Sequence, residues 1–305
     1  MNKDANILRE NGGIKLTEEW AKSLLKRMGY VKRRACSKAK IDVEHFEELK
    51  RIFFMYTTNI VSMDEIPPQL VINFDQTAIN YVPTPSWTME KEGAKRVEMM
   101  GIDDKRQITA VFGASLSGDF LPLQLVYEGK TTRCLPTYSF PSTWNITYSA
   151  NHWSNEETMN EYMEMVIFPY IRKIKEDLKL PDEQGALLIF DNFKAQCTST
   201  ILTLLDSHNI NVALIPANCT DRLQPLDLSI NKPAKDFLRK QFESWYAKQV
   251  CSQLDEGNQS EGVDLRLSTM KPLGAEWMVA FHSHIKKNSD MVRNGFKEAG
   301  IFDCL

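Results

Sequence analysis

The sequence lacks the short motifs that assign many proteins to a common enzyme class. It contains no G-x-G-x-x-G or Walker-A loop, so the usual nucleotide-binding interpretations are removed and no ATP requirement is expected. Its five histidines form no H-E-x-x-H arrangement, and catalytic zinc needs three converging protein ligands, so a zinc enzyme is not expected. No motif supports Ser/His/Asp or Cys/His catalysis. Any catalytic chemistry must therefore come from other residues.

The chain also lacks signals for secretion and membrane insertion. Its six cysteines are widely spaced and include no C-x-x-C pair, which argues against a structural zinc site and a secreted disulfide framework. The first residues lack the apolar core of a signal peptide, and no run approaches the roughly 20 apolar residues needed to span a bilayer. The formal net charge is only −3 at pH 7, so any nucleic-acid-binding surface must be local. These absences predict a soluble intracellular protein.

One stretch of the chain, residues 26–40, is strongly basic. It follows a helix predicted from Thr17, with Glu18 and Glu19 in the first turn and Gly29 past its end. The stretch contains no acid and seven positive charges, namely Lys26, Arg27, Lys32, Arg33, Arg34, Lys38 and Lys40. Such a stretch can neutralise DNA phosphates, and a solvated linker or a nuclear-import patch is an equal alternative. The charges alone do not separate these interpretations.

Hydrophobic periodicity predicts a helical N-terminal region followed by an α/β domain. A second helix is predicted from Asp42, and its apolar stripe is Phe46, Leu49, Ile52 and Phe53. The prolines that follow Ile66 break this pattern and mark a domain boundary. The predicted domains are residues 1–66, 67–250 and 251–305, the last being a loop and a tail of two short helices.

The second domain is predicted to contain a mixed sheet with helices packed on it. Strands are predicted at residues 70–74, 107–114, 121–127, 187–190 and 211–215. Helices are predicted from Ser154, where Glu157 completes a capping box, and at residues 198–207 and 229–250. Three strands followed by alternating helices and strands give an antiparallel start and then α/β units. This is the element order of the ribonuclease-H-like fold, although other α/β folds approximate it.

Three tryptophans, Trp87, Trp144 and Trp153, lie in long irregular segments that also carry charge. Tryptophans in such places could stack on flipped or single-stranded bases. Aromatic anchors that fix a long loop to the core are commoner, because such loops otherwise bury little surface. The sequence therefore favours anchors over stacking platforms.

Three aspartates each follow an apolar run, and they suggest one shared metal site. Asp75 and Asp191 are predicted at the ends of two neighbouring strands, and Asp227 lies just before a helix, where the helix dipole favours a negative charge. Three converging carboxylates repel one another unless a cation is bound or a proton is taken up. Mg²⁺ is usually held by few carboxylates together with substrate phosphate oxygens. The alternative is three ordinary acids, one helix cap and two loop carboxylates.

The residues around these acids resemble a known family. Phe74-Asp75-Gln76-Thr77, Ile189-Phe190-Asp191-Asn192 and Leu223-Gln224-Pro225-Leu226-Asp227 resemble the three signatures of DDE superfamily endonucleases, in particular the Tigger/pogo group of transposases. The similarity covers roughly residues 69–250, and its most specific part is Leu-Gln-Pro-Leu-Asp followed by Lys232-Pro233-Ala234-Lys235. Residues 12–34 look like the end of a centromere-protein-B-type helix-turn-helix, so the first part of that module is expected to be absent.

The resemblance implies a ribonuclease-H-like core that nicks double-stranded DNA and then joins the freed 3′-hydroxyl to target DNA. By position, Asp75, Asp191 and Asp227 would be the catalytic residues and the ligands of Mg²⁺, for which Mn²⁺ may substitute. It also implies a nuclear location and a homodimer on paired DNA ends. The residues expected to contact DNA are Lys26, Arg27, Lys32, Arg33, Arg34 and Lys194.

One departure from the family pattern and one alternative function have to be weighed. Many relatives have a His near the end of the segment after Asp191, where this chain reads Asn192-Phe193-Lys194-Ala195-Gln196, so Lys194 is either a phosphate contact or a surface lysine. A domesticated, non-catalytic DNA-binding or scaffold protein could keep the same fold. The presence of all three acids favours the enzyme, because a chain freed from catalysis has no chemical need for a cluster of repelling acids.

Overall fold

The structure, a computed structural model, describes residues 18–29, 42–83, 104–192, 197–255 and 262–305. The chain divides into two compact units, Met1–Lys40 and Ile41–Leu305. In the first unit the structure describes one helix, α1 (Glu18–Arg27). The basic residues 30–40 lie outside the described residues. Within the described ranges no helix is both long enough and apolar enough to cross a bilayer.

The helix α2 (Val43–Met63) belongs to the larger unit. The carboxylate of Asp42 caps it by accepting a hydrogen bond from the His45 amide at 2.8 Å. Phe46 and Phe53 are buried in the common core, and the Tyr56 hydroxyl donates to the Val212 carbonyl at 3.1 Å. The predicted domain boundary at Ile66 follows this helix, whereas the structure divides the chain before it, because the apolar face of α2 packs with the sheet.

The predicted apolar stripe of α2 is wrong at one residue. Ile52 is 52% exposed, whereas the neighbouring Phe53 is buried. The buried stripe runs through Phe46, Phe53 and Thr57, a spacing that keeps to one side of a helix. Adjacent residues of a helix point about 100° apart, and here the phenylalanine takes the buried position.

The larger unit is built on one six-stranded mixed sheet, whose strands lie in the order β4-β3-β2-β1-β5-β6. β1 pairs antiparallel with β2 and parallel with β5, β2 pairs antiparallel with β3, and the pairs β3–β4 and β5–β6 are parallel. The strands are β1 Val71–Asn80, β2 Gln107–Ser115, β3 Gln124–Glu128, β4 Asn145–Ser149, β5 Ala186–Asp191 and β6 Ile210–Ile215. The predicted mixed sheet with an antiparallel start is confirmed.

β4 lies in a segment that was predicted to be irregular. Its fully buried positions are the polar residues Asn145, Thr147 and Ser149, and the apolar residues between them, Ile146 and Tyr148, are only half-buried. Asn145 accepts a hydrogen bond from the Gln124 side chain of β3 at 2.7 Å. Two alternating apolar residues are a short signal, and side-chain hydrogen bonds satisfy the buried face.

Helices cover both faces of the sheet. Successive side chains of a strand point to opposite faces, so each strand contacts both layers of helices. On one face, Phe74 of β1 meets Tyr162, with ring centroids 5.6 Å apart. On the other, Phe112 of β2 meets Phe281, with centroids 5.8 Å apart. The remaining helices are α3 Glu156–Tyr162, α4 Phe168–Leu178, α5 Ser199–Asp206, α6 Thr220–Leu223, α7 Pro225–Ser229, α8 Asn231–Asp255, α9 Leu267–Lys286, α10 Ser289–Glu298 and α11 Ile301–Cys304.

Three helix predictions need correction. Asn155 and Thr158 form the capping box of α3 in place of Ser154 and Glu157, since the Thr158 amide donates to Asn155 Oδ1 at 2.9 Å. The predicted long helix from residue 229 is preceded by the separate short helix α7, and α8 runs to Asp255. The C-terminal tail contains three helices, of which α9 is 20 residues long and contributes Phe281 to the core.

Candidate metal-binding carboxylate site

Asp75 was predicted at the end of its strand, but it occupies the middle of β1, which extends to Asn80. It lies opposite Phe112 of β2 and is only 7% exposed. Burial, followed by the negative charge of Asp227, raises the pKa of Asp75 to about 7. The charge of Asp191 adds a smaller upward shift of this pKa, and a hydrogen bond from Asn231 opposes the increase. A carboxyl group with this pKa is partly protonated at neutral pH unless a cation is nearby.

Asp227 lies beside Asp75, and a single amide joins them. Asn231 Nδ2 donates to Asp75 Oδ2 at 2.5 Å and to Asp227 Oδ1 at 2.7 Å. Asp227 was predicted just before a helix; it lies instead in the first turn of α7, one helical turn ahead of Asn231. The bend of the chain at Ile230, between α7 and α8, directs the Asn231 side chain back to both acids.

Asp191 is the last residue of β5 and is half-buried. The parallel register pairs Asn73 with Ile189, so two residues further along both strands Asp75 and Asp191 come side by side, as predicted. Both line a groove of about 340 Å³ that also contains Thr109, His152 and Trp153. Within the described part of the chain, however, no three His, Cys, Asp or Glu side chains lie close enough together to hold one ion.

A fully buried pair of amides holds the segments that carry the three acids. Asn73 Nδ2 donates to the Ile189 carbonyl at 2.8 Å and to Gln224 Oε1 at 3.2 Å. Gln224 Nε2 donates to the Phe74 carbonyl at 3.2 Å, and Asn73 Oδ1 accepts from the Leu226 amide at 3.1 Å. These four bonds connect β1, β5 and the start of α7. They fix the backbone next to Asp75, Asp191 and Asp227.

Sequence reasoning did not identify Asn73, Gln224 or Asn231 as site residues. A signal was present for the first two, because each is an amide inside an otherwise apolar run and must find partners when buried. Asn231 follows Asp227 by four residues, a spacing that faces two side chains together on a helix. The structure keeps this arrangement, because Asn231 Nδ2 donates to Asp227 Oδ1. The second bond, to Asp75, joins residues 156 apart in the sequence and had no such signal.

The residues predicted to contact DNA are mostly outside the described residues. Lys26 and Arg27 lie in the last turn of α1 and are exposed. Lys32, Arg33, Arg34 and Lys194 lie in ranges that the structure does not describe. The role of these six residues stays a prediction.

The tryptophans differ from one another. Trp87 lies outside the described residues. Trp144 is 5% exposed and packs between Phe140 and His282, which is the anchoring role that the sequence favoured. Trp153 is 60% exposed and lines the same groove as Asp75 and Asp191.

The family model described as DDE superfamily endonuclease matches residues 105–289, which is more than half of the chain. The chain therefore belongs to this family, and the predicted resemblance is confirmed. The match includes Asp191 and Asp227 and begins after Asp75.

Two curated relatives are described as pogo transposable element with KRAB domain. The human protein is 28% identical over 237 residues, covering 76% of this chain and 35% of that protein. The mouse protein is 24% identical over 300 residues, covering 96% of this chain and 45% of that protein. The chain thus spans less than half the length of either relative.

A solved structure shows the same fold. The crystal structure of the Mos1 strand transfer complex contains a chain that is 12% identical, with a TM-score of 0.51, covering 99% of this chain and 77% of that one. The mixed six-stranded sheet with flanking helices is the ribonuclease-H-like fold of that transposase, and the fold prediction is confirmed.

Proposed function

We propose that this chain is the catalytic part of a pogo-type DNA transposase, which cleaves DNA and transfers the freed strand through Asp75, Asp191 and Asp227. The observation that carries the proposal is the Asn231 amide, which holds Asp75 and Asp227 together beside the groove that Asp75 shares with Asp191. Family membership supports the reaction class. The Mos1 strand transfer complex supports the joining step by analogy of fold.

The donor atoms at the site fit Mg²⁺ or Mn²⁺. All three acids offer oxygen, which hard divalent ions prefer. Asp75 and Asp227 share the two hydrogens of one amide nitrogen, and Asn231 Oδ1 is a buried acceptor without a hydrogen-bond partner among the described residues. The site therefore has more acceptors than donors, an imbalance that a cation satisfies. Asp75, Asp191 and Asp227 would hold it.

When bound, divalent cations activate an attacking oxygen and stabilise a leaving oxygen in phosphoryl transfer. The protein side chains supply the positioning. Asn231 sets the separation of Asp75 and Asp227, and the amides of Asn73 and Gln224 keep β1, β5 and α7 in register. The Asp75 proton has to leave before this carboxylate can hold a cation.

The substrate in this proposal is double-stranded DNA in the nucleus, bound by a homodimer on paired ends. The basic residues 26–40 supply phosphate contacts. Binding through these contacts should weaken steeply as salt is raised, because each neutralised phosphate releases counterions.

The test is DNA nicking and strand transfer with Mg²⁺ or Mn²⁺. Wild type should be active, and Asp75→Ala, Asp191→Ala and Asp227→Ala should each lose at least about a hundredfold in rate, since each removes a ligand of the cation. Asp221→Ala is the matched control, because Asp221 is an exposed acid on the short helix α6 and does not line the groove. Activity that persists in all three site variants would refute the proposal.

A non-catalytic DNA-binding or scaffold protein is the second candidate. One observation favours it: within the described ranges the acids do not form a three-residue cluster that could hold a metal. A wild type that binds DNA and remains inactive with either cation, also when extended by an upstream helix-turn-helix module, would establish this alternative.

A further inference from the structure

Trp153 is a large aromatic side chain that lines the groove containing Asp75 and Asp191. Its indole is 60% exposed, although a buried indole is worth far more to the stability of a fold than an exposed one. Trp144, in the same irregular region, is buried and shows the ordinary anchoring alternative. Trp153 is thus available to a ligand that enters the groove.

The backbone conformation of the preceding residue turns Trp153 outward. His152 has φ +58°, a left-handed conformation that is unfavourable for a residue with a Cβ atom. Its imidazole points inward and is buried, with Nδ1 3.4 Å from Thr109 Oγ1 and Nε2 3.4 Å from Gln107 Nε2. The reversal at His152 leaves the imidazole buried against β2 and the indole exposed, and both side chains line the groove. Backbone strain of this kind clusters at functional sites.

Both backbone groups of Trp153 are held by side chains. The Trp153 amide donates to Asn151 Oδ1 at 3.2 Å, and the Ser149 hydroxyl donates to the Trp153 carbonyl at 2.7 Å. The His152 ring also lies against the indole, with centroids 6.5 Å apart at 62°. The indole is therefore presented on a fixed backbone, which lowers the entropy that is lost when a ligand stacks on it.

We propose that Trp153 is a stacking platform for an unpaired nucleobase of the DNA strand whose phosphate lies at Asp75 and Asp191. This inference rests on the proposed function, since it assigns a further contact of the same groove. The occupant is a base because a phosphate held at the acids through a divalent cation would leave the attached nucleoside in the groove, and a flat apolar surface that lines the groove is an indole. Every base has a π-face, so this contact tolerates any sequence.

The platform requires that the base leave its pair. Extruding a base from a duplex costs a few kcal/mol, and the cost is least for a base that is already single-stranded. Trp153 therefore favours DNA that is frayed or nicked beside the reacting phosphate over an intact duplex. Aromatic stacking of this kind changes affinity by roughly 5- to 150-fold per base on alanine substitution.

The experiment is a binding cycle on the whole 305-residue chain. The probe is a fluorescein-labelled duplex of about 20 base pairs with a short single-stranded tail. Its affinity for the protein is measured by fluorescence anisotropy in EDTA and in Ca²⁺. A second probe has the same backbone with abasic tail positions. The variants are Trp153→Ala, Trp153→Phe and the control Phe302→Ala, which removes another exposed aromatic ring, from α11.

We expect Trp153→Ala to weaken binding of the tailed probe by at least about fivefold, and the abasic tail to weaken wild type by the same factor. The two losses should not add, because both remove one interaction. Trp153→Phe should recover most of the affinity, and Phe302→Ala should match wild type. Thermal unfolding checks that each variant is folded.

Independent losses from the variant and the abasic tail would overturn the stacking proposal, as would a Trp153→Ala chain that binds like wild type. Nicking is measured on the same preparations. If wild type nicks DNA and Asp191→Ala does not, while Trp153→Ala binds the tailed probe as wild type does, the stacking proposal fails and the proposed function stands. If wild type neither binds nor nicks the tailed probe, the proposed function fails and stacking fails with it.

Discussion

Asn231 donates from one nitrogen to an oxygen of each of two acids, so a single side chain sets their distance. Its hydrogen bond also lowers the pKa of Asp75, against the upward effects of burial and of the charges of Asp227 and Asp191. Without a cation, this amide is the group that compensates two neighbouring carboxylates. Asn231 therefore affects both the stability of the metal-free site and the protonation of a carboxylate that would hold a metal.

Replacing Asn231 by Ala should destabilise the metal-free protein by about 1–3 kcal/mol, because the buried carboxylate of Asp75 loses a donor that it shares with the exposed carboxylate of Asp227. The pKa of Asp75 should move further upward. Urea unfolding in EDTA measures the loss of stability, and Mg²⁺ should restore part of it. The control is Asn211→Ala, which removes an exposed hydrogen bond from the Asn211 side-chain amide to Asp64. Equal losses in the two variants would contradict the assigned role.

The acids themselves were predictable at the residue scale, and their supports were not. Asp75 and Asp191 follow apolar runs, so the strands could be placed and the acids with them. Asn231 could be paired with Asp227 from the four-residue spacing, but its bond to Asp75, 156 residues away in the sequence, depends on tertiary packing. The amides of Asn73 and Gln224 were visible as polar residues in apolar runs, but their partners are more than 100 residues away in sequence.

At the scale of secondary-structure elements, α7 carries Asp227 and α10 (Ser289–Glu298) packs directly against it. The contact is made at Gly295, where an added Cβ would overlap Ser229 Oγ and the Pro225 carbonyl. The carbonyl belongs to the backbone of α7 and cannot move without moving that helix. The close approach of these two helices therefore supports the position of Asp227.

Gly295→Ala should displace α7, lower stability by about 1–3 kcal/mol through overpacking, and reduce nicking beyond what the loss of stability explains. The matched control is Gly274→Ala in α9, where an added Cβ meets nothing within 4 Å. That change should be neutral or stabilising by up to about 1 kcal/mol, since Ala is the better helix former. Nicking rates at a temperature where both variants are folded measure the difference. A Gly295→Ala chain with normal activity would exclude the supporting contact.

The elements that could be predicted are those with apolar periodicity. β1, β2, β3, β5 and β6 were placed within a few residues, apart from the underestimated length of β1. β4 could not be placed, because its buried face is Asn145, Thr147 and Ser149 and its stability comes from pairing with β3 and from side-chain hydrogen bonds. Period-two hydrophobicity is present there but is limited to Ile146 and Tyr148, so the signal was short.

At the scale of the whole molecule, the C-terminal helices are part of the core that holds the sheet. Phe281 of α9 meets both Phe112 and Phe120, and Nε2 of the next residue, His282, donates a hydrogen bond to the Leu121 carbonyl at 3.0 Å. Because the carbonyl can only accept, His282 Nε2 carries the proton. Burial, followed by the nearby charge of Lys286, lowers the pKa of His282 to about 4, although the bond to Leu121 opposes that shift.

The contribution of His282 to stability should therefore fall as the pH is lowered from about 6.5 to 4. In that window the unfolded chain binds a proton at His282 and the folded chain does not. The loss from this residue amounts to up to about 3 kcal/mol. Asp75 acts in the opposite direction below its pKa of about 7, because there the folded chain binds a proton that the unfolded chain does not. His282→Gln keeps a donor for Leu121 and removes the titration, so wild type should lose urea-unfolding free energy relative to this variant as the pH falls across the window. Parallel curves for the variant and wild type would refute this assignment.

The hydrogen bond from the Leu226 amide to Asn73 Oδ1 can be followed by hydrogen exchange. Leu226 is next to Asp227, and its amide proton is enclosed between α7 and β1. That proton exchanges with deuterium only when α7 separates from the sheet. One resonance in a nitrogen–hydrogen correlation spectrum thus reports how often the carboxylate site comes apart, in a sample that contains neither metal nor DNA.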